Sequence, residues 1–136
     1  SINISPHVQP LPDDGNIPFL KDWKWIATPG HSEGHVSFWR EKDRTLIAGD
    51  AFITVKQESA LAVMTQHEEI HGPPQYFTTD WHKAWESVKT LNALQPQYAF
   101  TGHGHPMTGE KLKKELNTLA HHFDSMAIPN HGRYVQ

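Results

Sequence analysis

No cysteine occurs among the 136 residues, so neither a disulfide framework nor a thiolate metal site is open to this chain. Clustered positive charge is missing as well. The longest basic run is Lys113-Lys114 and the formal charge is −3, which argues against a surface built to displace counterions from nucleic acid. No apolar stretch approaches a membrane span, and the opening SINISPHVQP lacks the apolar core of a secretory leader. Internal repeats and low-complexity tracts are absent. The expectation is a soluble cytoplasmic protein with no nucleic-acid partner and no membrane partner.

What the chain has in quantity is histidine, eleven in 136 residues. Imidazole is the side chain most used for transition metals and for proton transfer near neutral pH, so a metal site becomes the first thing to look for. The hydrophobic fraction of 37 % and charged fraction of 20 % suit one domain, residues 1–136, with a modest core.

The stretch HEEIH, residues 67–71, has the spelling of a zinc-protease helix. Two imidazoles four residues apart converge on one ion only on a continuous helix. Gly72-Pro73-Pro74 follows at once, and proline disfavours helical geometry in the residue before it. No third ligand stands out downstream. The metal is therefore expected elsewhere.

Residues 1–19 carry four prolines and the turn signal Asp14-Gly15, and read as a connecting or edge segment with a strand possible near Ile2–Ile4. WKWIAT (23–28), HVSFWRE (35–41) and TLIAGD (45–50) read as strands, the last two joined as an antiparallel hairpin through the turn EKDR. ALAVM (60–64) fits helix or strand, and GPPQY (72–76) a loop. Thr78 or Thr79 is positioned to cap a helix from Asp80 to about Leu94, on which Trp81, Ala84, Trp85, Val88 and Leu91 follow the 3.6-residue period before Pro96. QYAFTG (97–102) is a further strand. Thr108 then opens a last helix, with Glu110 in its first turn and Leu112, Leu116, Leu119 and Phe123 along one face. The order of elements predicts a mixed fold, α/β or α+β.

Three polar residues share one placement. His31 in TPGHSEGH, Asp50 in TLIAGD and His103 in TGHGHP each follow a short apolar strand, with glycine alongside. Strand ends on one edge of a sheet let rigid backbone aim side chains from distant positions at a common point. Taken singly, each has a plainer reading as a loop or turn residue. Taken together, two imidazoles and a carboxylate suit a divalent transition metal such as zinc. His105, beside His103, is a further candidate to approach the site. His7, His67, His71, His82, His121, His122 and His131 read most simply as surface or loop residues.

TPGHSEGHVSFW, TLIAGDAF and TGHGHP, in that order, resemble the metallo-β-lactamase superfamily of hydrolases, and GPPQYFTTDW and AIPNHGRY resemble one bacterial group within it. The resemblance runs from about residue 20 to the C-terminus. It implies that His31 binds one metal, Asp50 bridges two and His103 binds the second, with His35 in a supporting structural role. It also implies a four-layer αββα sandwich of two similar lobes, with the metals at the rim between their sheets. Tyr76, Trp81 and His131 could touch substrate in a complete enzyme.

The leading H-x-H-x-D-H signature of that superfamily is absent here; the sole H-x-H is His103-Gly104-His105, followed by Pro106-Met107. The chain therefore resembles the C-terminal β-sheet-plus-helices lobe alone. A tight zinc site uses three or four protein ligands, and this half offers two per ion. Weak metal binding and little or no activity alone are expected. So is an apolar sheet face that the N-terminal lobe, or self-association, would cover. The substrate implied for a complete enzyme is a small ester, thioester, lactone or lactam. A phosphodiester is disfavoured by the charge. The alternative is a non-catalytic metal-binding or dimerising module.

Overall fold

The structure, a computed structural model of the chain, describes Ser5 and residues 8–54, 70–73 and 80–127. Five strands, β1 (Trp23–Ala27), β2 (Val36–Arg40), β3 (Thr45–Gly49), β4 (Tyr98–Thr101) and β5 (Met107–Thr108), form one sheet in that spatial order. The first two pairings are antiparallel, β3 and β4 run parallel, and β5 returns antiparallel to β4. A parallel neighbour needs a crossover, and helix α1 (Trp81–Ala93) lies within it. Helix α2 (Gly109–Met126) follows β5 and is kinked at His122.

Alternation along the strands sorts the sheet into two faces. Leu46, Ala48 and Ala99 are buried with Ala84, Val88 and Leu91 of α1 and Leu112, Leu116, Leu119 and Phe123 of α2, so both helices cover one face. Phe123 also stacks on Trp85, with ring centroids 6.0 Å apart. The opposite face carries a row set by register, Trp25–Phe38–Ile47–Phe100, where Ile47 and Phe100 are exposed. The result is the mixed sheet-and-helix architecture anticipated from the element order, two layers deep.

Several local expectations change. Asp80, not Thr78 or Thr79, caps α1: its carboxylate accepts the Lys83 amide at 3.0 Å. The two threonines lie outside the described residues, as do residues 1–4, ALAVM and the end of GPPQY. Thr108 holds the cap position of α2 in extended geometry, but its side chain makes no capping bond. It belongs to β5, which was not expected, because a strand of two residues leaves no periodicity to read. Residues 8–19 form no strand, but Asn16 bridges Lys24 and the Pro12 carbonyl accepts the Trp25 indole N–H at 2.7 Å. His71 pairs with Ile53 through two backbone hydrogen bonds of 2.7 and 2.9 Å. That extended pairing is incompatible with a zinc-protease helix at this end of HEEIH; His67 and Glu68 lie outside the described residues. Among the described residues, no helix is long and apolar enough to cross a membrane.

Candidate metal centre

Two antiparallel steps make β1 and β3 co-directional, and β4 is parallel to β3. The C-terminal ends of all three strands therefore lie on one rim of the sheet. His31 sits on the loop after β1, Asp50 directly after β3 and His103 two residues after β4. His35, just before β2, reaches the same rim because β2 starts there.

Local backbone explains why these loops hold their shape. Gly30, at φ +136°, packs so closely on Ala84 that a Cβ would fall 2.6 Å from the alanine Cβ. The Asp80 amide donates to the Gly30 carbonyl at 2.9 Å and the Ser87 hydroxyl to the Pro29 carbonyl at 2.7 Å. The His31 loop is thus pinned to the start of α1. On the other side, the β3–β4 register slips between Ile47 and Gly49, a local irregularity that re-aims the chain end. Gly49 takes φ +59°, and its missing Cβ leaves room for the His35 ring.

The three side chains converge as expected. His31 Nε2 lies 3.3 Å from Asp50 Oδ2, and His103 Nε2 lies 3.4 Å from Asp50 Oδ1. Each imidazole thus faces a different oxygen of one carboxylate. A charge-assisted hydrogen bond would be about 2.7–2.9 Å. Two donors on one tetrahedral zinc, each about 2.0–2.2 Å from the ion, stand about 3.3–3.5 Å apart, which matches both separations. Asp50 Oδ1 is also buried and, among the described residues, accepts no hydrogen bond. Leaving a buried carboxylate oxygen without a partner is costly, and a cation removes the cost. These residues fit a bridged pair of divalent ions. Among the described residues, no three or more His, Cys, Asp or Glu are grouped so as to hold one ion.

His35 does not face the carboxylate. Its Nε2 accepts the Asp50 amide at 2.9 Å, which leaves the proton on Nδ1, within 2.9 Å of Thr28 Oγ1 and 3.1 Å of the Thr28 carbonyl. The Ser37 hydroxyl donates to the Ala48 carbonyl at 3.1 Å, so the Thr28 hydroxyl donates to Ser37 Oγ at 2.8 Å. The chain of donors runs one way and fixes the His35 tautomer. Burial pushes the His35 imidazole below its ordinary value; the Thr28 carbonyl and the Asp50 charge oppose this, and His31 adds to it. Thr28 and Ser37 were not foreseen, since nothing in their spacing marks a buried hydroxyl as a support.

His105 is exposed, and so are His82, His121 and His122. Trp81 packs against the core. Tyr76 and His131 lie outside the described residues.

Comparison with known proteins places the chain in a family. The chain is similar to two Bacillus subtilis proteins described as "Probable metallo-hydrolase". YflN is 52 % identical over 126 residues, covering 93 % of this chain and 48 % of that protein. YybB is 33 % identical over 99 residues, covering 71 % and 38 %. The chain thus spans about half the length of these relatives, or less. Among solved structures, a peroxy diiron species of the chemotaxis sensor ODP of T. denticola matches 88 % of this chain and 53 % of its own, at TM-score 0.56 and 21 % identity. The BLEG-1 B3 metallo-β-lactamase matches 80 % and 47 %, at TM-score 0.56 and 20 % identity. At such identities the structures speak for the fold alone. The family model of the metallo-β-lactamase superfamily matches residues 1–103, and on that match the chain belongs to this superfamily.

Proposed function

We propose that residues 1–136 act as one domain, the C-terminal lobe of a metal-dependent hydrolase, and supply three ligands of a binuclear centre. His31 would hold one ion, His103 the other, and Asp50 would serve both. The observation that carries the reading is the Asp50 carboxylate with one imidazole on each oxygen, 3.3 and 3.4 Å away. Zinc suits two imidazoles and a carboxylate; iron is the competing identity, since one structural neighbour was solved as a diiron species.

Ions held here would supply Lewis acidity, a polarised carbonyl and a water acidified to a pKa of about 7. The chain's own contribution is placement. Asp50 keeps both oxygens aimed at the rim, and His35 fixes the Asp50 backbone from behind. Small esters, thioesters, lactones and lactams are the substrates this chemistry would serve, in the cytoplasm.

Two donors per ion from the described residues are too few for a tight site, so on this reading further ligands come from the part of the relatives that this chain does not span, and the lobe alone is weak or inactive. Its exposed row at Ile47 and Phe100 suits contact with that missing part. Equilibrium dialysis with zinc tests the assignment. Wild type should bind weakly, His31→Ala and His103→Ala should each lose one ion, and Asp50→Ala should lose both. Tight binding by a monomer that persists in Asp50→Ala would refute the assignment and favour a non-catalytic metal-binding module.

A further inference from the structure

The loop carrying His103 is held at a point the metal reading does not use. Thr54, 1 % exposed, lies four residues beyond Asp50 on the segment leaving β3. Its amide donates to the His103 carbonyl at 3.2 Å. Its hydroxyl lies 2.8 Å from the His105 carbonyl and 3.1 Å from that of His103. Thr101 Oγ1 donates to the same His103 carbonyl at 2.6 Å. Gly104, at φ +99°, presses its Cα against Thr54, so that a Cβ there would fall 2.9 Å from the threonine carbonyl carbon.

Thr54 in turn stands on a firm base. Ile53 is 2 % exposed and paired in both directions with the His71 backbone. At the other end of the segment, the Gly102 amide donates to the Gly49 carbonyl at 2.8 Å. The Asp50 loop and the His103 loop are therefore fastened together at two places, one on each side of the carboxylate–imidazole approach.

We infer that Thr54 is a positioning residue for His103: its amide and hydroxyl clasp the His103 loop to the Asp50 loop and set the 3.4 Å approach of His103 Nε2 to Asp50 Oδ1. The inference rests on His103 being a metal ligand. Partners that orient a ligand typically change metal affinity about 10–100-fold when removed.

Cobalt(II) titration of the chain, read by its d–d absorption and by dialysis, tests the clasp. Thr54→Val keeps the shape and removes the hydroxyl; it should weaken the ion that needs His103 about tenfold. Thr54→Ser keeps the hydroxyl and should stay within about threefold of wild type. In a His103→Ala background, Thr54→Val should cost nothing further, because it acts through His103. Equal loss in both backgrounds, or no loss in either, overturns the clasp while leaving the ligand set intact. An unchanged titration for His103→Ala overturns the ligand set and the clasp with it. Should Thr54→Val not fold, Gly104→Ala drives a Cβ into Thr54 and must show the same His103-dependent loss; an unaltered titration there overturns the clasp.

Discussion

Gly102 leaves no room for a side chain beside the Asp50 carboxylate, and Gly102→Ala perturbs that carboxylate directly. A Cβ built there collides with Asp50 Oδ1, sits 3.3 Å from Asp50 Cγ and stays at an ordinary 3.5 Å from the Gly49 carbonyl. The carboxylate is thus the group that must give way. Asp has a short side chain, so relief means rotating it off its position between the two imidazoles, by an amount on the order of an ångström. Forcing one extra methyl into a packed place costs about 1–3 kcal/mol.

In the metal-free chain, among the described residues, only the two imidazole contacts resist rotation of the carboxylate, and the melting temperature of Gly102→Ala should fall only slightly. With metal the carboxylate must stay put, and the strain appears in affinity. At about 1.4 kcal/mol per decade, 1–3 kcal/mol predicts a loss of about five- to 150-fold for both ions. Gly34→Ala is the control, since a Cβ there meets nothing within 4 Å. Isothermal titration with zinc on the two variants and wild type gives the comparison. A Gly102→Ala protein that binds zinc as wild type does would show that the carboxylate is not held where the structure puts it, and the bridging role of Asp50 would fall.

Phe123→Ala empties a fully buried position stacked on Trp85 and should cost about 3–5 kcal/mol in urea unfolding; a loss below about 1 kcal/mol would contradict the core assignment. Gly30→Ala drives a Cβ into Ala84 at a positive φ, so it should lower the melting temperature far more than Gly34→Ala does; equal melting temperatures would mean that the His31 loop is not seated on α1. His35 adds a pH dependence. Its folded value lies below the ordinary 6.5, so as pH falls beneath 6.5 the unfolded chain takes up the proton first. Its contribution is fully present above pH 6.5 and is lost as pH falls from there toward the folded value. His35→Gln should flatten that acid limb in metal-free unfolding between about pH 5 and 7.5, and an unchanged slope would remove His35 as its source.

Much of the frame is legible in the sequence for specific reasons. β2 and β3 show as apolar runs split by a charged turn, and α1 shows as a 3.6-residue stripe that stops before Pro96. The cap of α1 was misjudged by one or two residues because Thr-Thr-Asp offers three capping side chains in a row, and only backbone geometry selects Asp80. The convergence of His31, Asp50 and His103 is legible since each follows an apolar strand and adjoins a glycine. Its supports are not. Thr28, Ser37 and Thr54 act through contacts made across 7 to 51 residues of chain, and a buried threonine has no local signature that separates it from any other strand or loop residue. Pairing partners, unlike periodicities, are fixed by tertiary structure.

The same distinction bears on how many ions His31, Asp50 and His103 would serve on the proposed reading. One ion held by all three residues would bring both imidazoles to a common point beside the carboxylate. Instead His31 addresses Oδ2 and His103 addresses Oδ1, and among the described residues no three such donors share a centre. On the proposed reading Asp50 would serve one ion through each oxygen, and each ion would draw two donors from the described residues. Two proposed donors per ion among the described residues, and a match to about half the length of the relatives, lead to one prediction: metal affinity here should rise steeply when the rest of the relatives' length is supplied. Co-expressing the chain with the complementary half of YflN, and finding zinc binding no tighter than for the chain alone, would break that link.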